Sequence, residues 1–236
     1  MSDAARTWKP LGTDPLIATY EYSFGPGTAT ALAVGIPGGV LVASPPCRVA
    51  ESVIRAMDEF GGVRALVATN AFHHLGLQAW KARYPDAAIF APAQSIARLA
   101  AKTGLSGIRP LAEAGALLGE RVSLTDMPHY KTGETLVRIR AADGLAWYVT
   151  DVILNLAELP AHSVVGLVFR FSGSAPGLRL NRIAPLFMVK DRKALWGWIT
   201  AEAERDCPRW LIPAHGDLVD LQAGSLRLCD LLQSKL

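Results

Sequence analysis

The sequence has little of several things that would settle its chemistry quickly. It has three cysteines in 236 residues, Cys47, Cys207 and Cys229, far apart and without C-x-x-C spacing. They suit a reducing compartment and leave core packing or a free thiol as their role. No apolar run reaches the roughly 18 residues of a membrane span. The start, Met-Ser-Asp-Ala-Ala-Arg, has no apolar segment of a secretory signal, so the expectation is a soluble cytoplasmic protein. There is no Gly-x-Ser-x-Gly elbow, no Walker A lysine loop and no dinucleotide fingerprint. Gly25-x-Gly27 leads into β-branched residues instead of a helix, so the helix N-terminus of a phosphate loop is missing. A Ser-His-Asp set assembled from distant positions stays open. Charged residues make up only 19% of the chain, and the net charge of +3 is too weak to argue for nucleic acid without a clustered patch.

What is present is ample apolar material. Half of the residues are hydrophobic, enough for one sizeable domain. Residues 1–15, with Pro10 and Pro15, read as an N-terminal arm, and 16–236 as the domain. Leu16 to Phe24, Thr28 to Ile36 and Val40 to Ala43 read as strands joined by glycine-rich turns, hence antiparallel. Val49, Val53, Ala56, Met57 and Phe60 then recur at helical spacing up to Gly61-Gly62. A strand at Val63–Val67, a helix from about Leu75 to Tyr84, a strand at Ala88–Ala91 and a helix from Pro92 to about Lys102 follow. This alternation predicts parallel sheet covered by helices. After an irregular stretch over 104–120, strands return at Val122–Thr125, Thr135–Arg140, Ala146–Val152 and Val164–Phe171. A loop over Gly173–Arg182, a helix over Asp191–Glu204, a short strand at Arg209–Ile212 and a last helix from about Val219 complete the reading.

The stretch that organises the chain is Val67 to Gly76. An apolar strand ends there in Thr69-Asn70-Ala71-Phe72-His73-His74, which carries two of the five histidines. Strand ends of this kind build sites in α/β proteins. His129, Asp151 and His215 are the other polar groups able to converge on it, whereas His162, beside Pro160-Ala161, reads as solvent-exposed. Each of these residues also has a structural reading, as a turn residue, a strand-end cap or a hydrogen-bonded core group.

The order of these elements resembles the metallo-β-lactamase superfamily. Its signature after a strand, Thr-His-x-His-x-Asp-His-x-Gly, is matched by Thr69 to Gly76, one residue shorter. Pro128-His129-Tyr130 stands at its Gly-His turn, Tyr148-Val149-Thr150-Asp151 at its strand-ending aspartate, and Pro213-Ala214-His215-Gly216 at its last histidine. The variant with Asn70, Phe72, His73 and His74 looks like a branch of the superfamily known mainly as a domain of unknown function. The resemblance implies an α/β (α+β) fold: a four-layer αββα sandwich of two mixed sheets, with a metal site along one edge.

The departures carry as much meaning. Asn70 and Phe72 replace the paired imidazoles of the first metal position, so the resemblance implies that this position is empty. At the second position it implies a metal set of His74, Asp151 and His215, able to hold one zinc, iron or manganese ion. His74 is taken over His73 because it precedes Leu75-Gly76 as the family histidine does. Asp151, His73 and His129 are the candidate catalytic residues. Two functions remain open: a mononuclear metal-dependent hydrolase acting on a small molecule, and a metal-free, non-catalytic relative that binds a small ligand or a partner in the same groove. No nucleic acid or membrane partner is expected. Separately, Arg179, Arg182, Lys190, Arg192 and Lys193 form a modest basic patch, suited to an acidic ligand or simply to a solvated face.

Overall fold

A computed structural model describes residues 7–25, 27–157, 171–223 and 227–233. In the first sheet β1 (Lys9–Leu11), β2 (Asp14–Ser23), β3 (Thr28–Ile36) and β4 (Gly39–Ala43) run antiparallel. From β4 onward, β5 (Val63–Val67), β6 (Ala88–Ala91) and β7 (Ile108–Pro110) are added in parallel. The second sheet is built from β8 (Val122–Asp126), β9 (Thr135–Ala141) and β10 (Gly144–Val149). A two-stranded ribbon of β11 (Ile153–Leu156) and β12 (Gly177–Leu180) follows in the chain. Next β13 (Trp210–Pro213) returns to the second sheet parallel to β10, and β14 (Val219–Asp220) closes its edge.

Strand alternation explains how the layers stack. Leu41 and Ala43 of β4 face one core together with Tyr148 of β10, while Val40 and Val42 face another. That shared core holds Ile17, Leu32, Val67 and Phe90 of the first sheet against Val137, Ile139, Ala146 and Ile212 of the second, so the two sheets pack face to face. The outer face of the first sheet is covered by α1 (Glu51–Arg55), α2 (Leu77–Arg83) and α3 (Ile96–Thr103) through Ile54, Leu77, Trp80 and Leu99. Short α4 (Gly115–Leu118) sits at the sheet–sheet core through Leu118, and α5 (Ala184–Met188) lies ahead of the long C-terminal helix. The second sheet's outer face turns Leu136, Trp147, Val149 and Leu211 toward Leu195, Ile199 and Ala203 of α6 (Arg192–Asp206) and Leu228 of α7 (Leu228–Gln233). These three cores make the αββα sandwich. No helix among the described residues is long and apolar enough to cross a membrane.

Several elements differ from the sequence reading, each for a local reason. Residues 9–15 are not an arm: Lys9 and Pro10 pair with Thr19 and Ala18, and Asp14 opens β2. The helix expected through Phe60 tightens to a 3-10 turn at Ala56, with Gly61 and Gly62 at positive φ turning the chain into β5. Residues 104–120 contain β7, a 3-10 turn at Leu111–Glu113 and α4. The strand expected to reach Val152 stops at Val149, and the loop expected over 173–182 contains β12. The last helix begins at Leu228: Asp220 Oδ1 accepts from the backbone N–H groups of Gln222 and Ala223, closing a turn where the helix was expected to start. Most of the expected strand over 164–171, and His162, lie outside the described residues.

Trp80 fastens the outer helices to the site-bearing loops. Its ring is fully buried, and its Nε1–H donates to the Pro46 carbonyl at 3.0 Å. Trp80→Ala is expected to lower unfolding stability in urea by about 3–5 kcal/mol, the cost of emptying a large aromatic site. An unchanged midpoint would contradict this packing.

Candidate metal centre

Strand register brings the site together. β10 and β13 run parallel with Val149 opposite Pro213. Two residues further on, Asp151 and His215 emerge side by side at the same sheet edge. β9 runs antiparallel to β10 with Val137 opposite Tyr148, and continuing that pairing places Glu134 across from Asp151. β5 ends nearby in the first sheet and delivers Asn70 and the histidine turn.

Asn70 is buried and joins these ends. Its Nδ2 donates to Asp151 Oδ2 at 2.7 Å, Glu134 Oε2 at 3.0 Å and Thr150 Oγ1 at 3.2 Å. Its Oδ1 accepts from the backbone N–H groups of Phe72 at 2.8 Å and His73 at 3.0 Å. The second set is an Asx turn, which curls the chain and carries the His73 ring inward. With Oδ2 of Asp151 held by Asn70, Oδ1 is left facing the histidines. His73 Nε2 lies 3.7 Å from it and His215 Nε2 lies 3.2 Å from it. The two imidazole centroids are 5.4 Å apart.

His215 is fixed from behind. Its Nδ1 is 3.1 Å from the Thr28 carbonyl oxygen, which can only accept, so Nδ1 carries a proton. Nε2 therefore meets the Asp151 carboxylate either as an N–H or as a bare lone pair, and the lone pair needs a cation between the two. Gly216 permits this placement. It sits at φ +111°, and a Cβ there would lie 1.9 Å from the Asn155 carbonyl oxygen. Among the described residues, the buried Nδ1 of His73 has no hydrogen-bond partner.

The electrostatics follow from burial and pairing. Burial alone would raise the Asp151 pKa, but the His215 hydrogen bond and the charge of both imidazoles outweigh it and hold the carboxyl well below its usual range. Burial works against an imidazolium at His215, yet the Asp151 contact raises its pKa overall. Glu134 is wholly buried. Its oxygens accept from Thr150 Oγ1, Thr135 N–H and Asp151 N–H as well as Asn70. Burial and then the Asp151 charge still push its pKa from 4.5 up to about 8.

His73, Asp151 and His215 each offer one donor atom, and all three atoms lie within 4.8 Å of one another. Around a tetrahedral ion with bonds of about 2.0–2.2 Å, neighbouring donors stand about 3.3–3.6 Å apart. The two separations to Asp151 bracket that spacing, and two imidazoles with one carboxylate are suitable ligands for a borderline metal. The donor set fits one ion.

The expected ligand His74 is not in this group; His73 is. Adjacent residues in a tight turn project to different sides, and the Asx turn selects the first of the pair. Burial lowers the His74 pKa, and the nearby cations Arg98 and Lys102 oppose its charge further. His129 is also outside the group. It sits at φ +66°, and its carbonyl accepts from the Lys190 N–H at 2.7 Å. Asp151 and His215, both expected at strand ends, are in this group. Glu134 was missed, although the register of the β9–β10 hairpin is the signal that finds it.

The fold is shared with metallo-β-lactamases. A metallo-β-lactamase from Pontibacter korlensis matches over 98% of this chain and 100% of its own, with a TM-score of 0.62 and 13% identity. FIM-1 of Pseudomonas aeruginosa, in its mono-zinc form, matches over 99% of this chain and 97% of its own, with a TM-score of 0.58 and 16% identity. VMB-1 gives a TM-score of 0.65 at 10% identity over 98% of this chain and 97% of its own. No family model matches the sequence, and no curated protein matches it. At these identities the likeness establishes the fold: the chain is a metallo-β-lactamase-fold protein.

Glu134 generates a test. Its raised pKa means that the folded chain keeps a proton that the unfolded chain releases. Stability should therefore fall as pH rises from about 4.5 to about 8, on the order of 1 kcal/mol per pH unit at most from this group. Glu134→Gln, which cannot ionise, should flatten that slope in urea unfolding of the chelator-treated protein. Equal slopes for native and variant would contradict the assignment.

Proposed function

We propose that the chain binds one divalent transition metal through His73 Nε2, Asp151 Oδ1 and His215 Nε2, and acts as a mononuclear metal-dependent hydrolase on a small molecule. The observation that supports this reading is the convergence of the three donor atoms within 4.8 Å at one sheet edge. Nitrogen and oxygen donors in this ratio suit zinc, with iron and manganese as alternatives. When bound, such an ion would supply Lewis-acid polarisation of an ester, amide or phosphoester and lower the pKa of water.

The chain's own residues set up the rest. Thr28 fixes the His215 tautomer so that Nε2 is the donor, as outer partners of metal-bound imidazoles do. Asn70 holds Asp151 to one free oxygen. Glu134 sits behind Asp151, out of reach of solvent and with a raised pKa. Asp151 and His215 side chains are 17% and 20% exposed, so the donors are reachable from one side. The Phe24 ring stands edge-on to His215 at 6.0 Å and supplies an apolar wall for a substrate. A second ion is not proposed: the Asn70 amide is engaged with Asp151 and Glu134, Phe72 has no donor, and His129 stands apart. The free cysteines fit a reducing, cytoplasmic setting.

One observation favours the metal-free alternative. If His215 carries both ring protons, its contact with Asp151 becomes an ion pair that satisfies the carboxylate without an ion. Titration with zinc and manganese separates the readings. One ion per chain is expected, with affinity falling as pH drops through the histidine range because metal and proton compete for imidazole. His73→Ala and His215→Ala should weaken binding by about a hundredfold or more, and His74→Ala should leave it near native. Equal binding by all variants would remove these ligands. Stoichiometric binding without turnover of a panel of esters and phosphoesters would leave the non-catalytic reading.

A further inference from the structure

A second cleft, of about 900 Å³, lies between the end of β12 and the first turn of α6. Among the described residues, Arg182, Lys190, Arg192 and Lys193 line it, with Asp191 as the one carboxylate and Trp196 as the aromatic surface. Asp191 Oδ1 caps α6 by accepting from the Ala194 N–H at 3.0 Å, so this acid is held at the helix start and offsets only part of the positive charge. Lys190, Arg192 and Lys193 form no ion pair with any described residue. The backbone beneath them is pinned: the Lys190 N–H donates to the His129 carbonyl and the Lys131 N–H to the Met188 carbonyl, both at 2.7 Å. Trp196 packs partly against the second core and also lines the cleft, so its indole is held in place. Next to it, Gly197 leaves open space where a side chain would stand.

Among the described lining residues, Lys190, Arg192 and Lys193 outnumber the one carboxylate, a poor match for a single carboxylic acid and a good match for a multiply charged phosphate. A rigid indole beside them offers a face for a planar ring, and the volume lies within the usual span for small-molecule sites. We propose that this cleft binds a nucleotide-class ligand, its diphosphate held by Lys190, Arg192 and Lys193 and its base set against Trp196. The cleft is separate from the metal centre, although its wall is joined to it: Asn181, between Leu180 and Arg182, donates through Nδ2 to the Asp151 carbonyl at 2.8 Å.

Calorimetric titration with ADP and with pyrophosphate tests this, each run with metal-loaded and with chelator-treated protein, since phosphates also ligate metals. Binding of both probes in either metal state is expected, with ADP tighter. Lys190→Glu combined with Lys193→Glu should weaken both by about tenfold or more. Trp196→Phe should preserve ADP binding, and Trp196→Ala should weaken ADP several-fold while sparing pyrophosphate. His215→Ala should leave both unchanged, which keeps this result independent of the metal reading. No binding by the native protein, no loss in the charge-reversed variant, or loss on chelation or in His215→Ala would overturn the proposal. Equal affinity for ADP and pyrophosphate would remove the ring contact. Much tighter binding of a single-stranded oligonucleotide than of ADP would reassign the cleft to nucleic acid and overturn it as well.

Discussion

The Asn70 carboxamide is the interaction on which the site depends. One side of it terminates β5 by curling the next residues into an Asx turn, and the other side grips Asp151 and Glu134 from the second sheet. Most of the contact between the two sheets is apolar and without direction, and a few hydrogen bonds, such as Tyr148 Oη to the Thr30 carbonyl at 2.8 Å, cross it elsewhere. Here a single planar group with two donors and an acceptor fixes their relative position at the edge. It orients one carboxylate oxygen, turns one histidine inward and leaves its neighbour out.

That arrangement also concentrates charge of one sign. Asp151 and Glu134 lie close together in a buried setting, where two ionised carboxylates oppose each other. The structure resolves the conflict by giving them different partners. Asp151 faces two imidazoles and stays ionised, while Glu134 is enclosed and retains its proton to a higher pH. A carboxylate flanked by imidazoles attracts either a proton on His215 or a metal ion among the three donors. Both would satisfy the same geometry, so on the proposed reading occupancy would depend on pH and metal supply.

Much of the fold was legible in the sequence because it rests on periodic patterns. The glycine turns before Thr28 and Gly39 marked antiparallel strands, and the run from Val63 through Ala91 marked parallel ones. Elements defined by contacts instead of patterns were hidden: β1 pairs as an edge strand despite Pro10, and Asp220 closes a turn where the sequence pattern predicts the last helix. At the site, Asp151 and His215 could be placed because each follows an apolar strand. The choice between His73 and His74 could not, because it turns on how the Asn70 side chain bends one turn. Glu134 gave no motif, and only the pairing of β9 with β10 sets it beside Asp151.

X-ray absorption spectroscopy of the zinc-loaded protein tests the central claim most directly, because it reads the donors around the metal itself. The account predicts one zinc in a first sphere of nitrogen and oxygen at about 2.0–2.2 Å, with scattering from two imidazoles and no sulfur. A metal–metal vector at about 3.5–4 Å, a third imidazole, or a sphere unchanged by His73→Ala would contradict it.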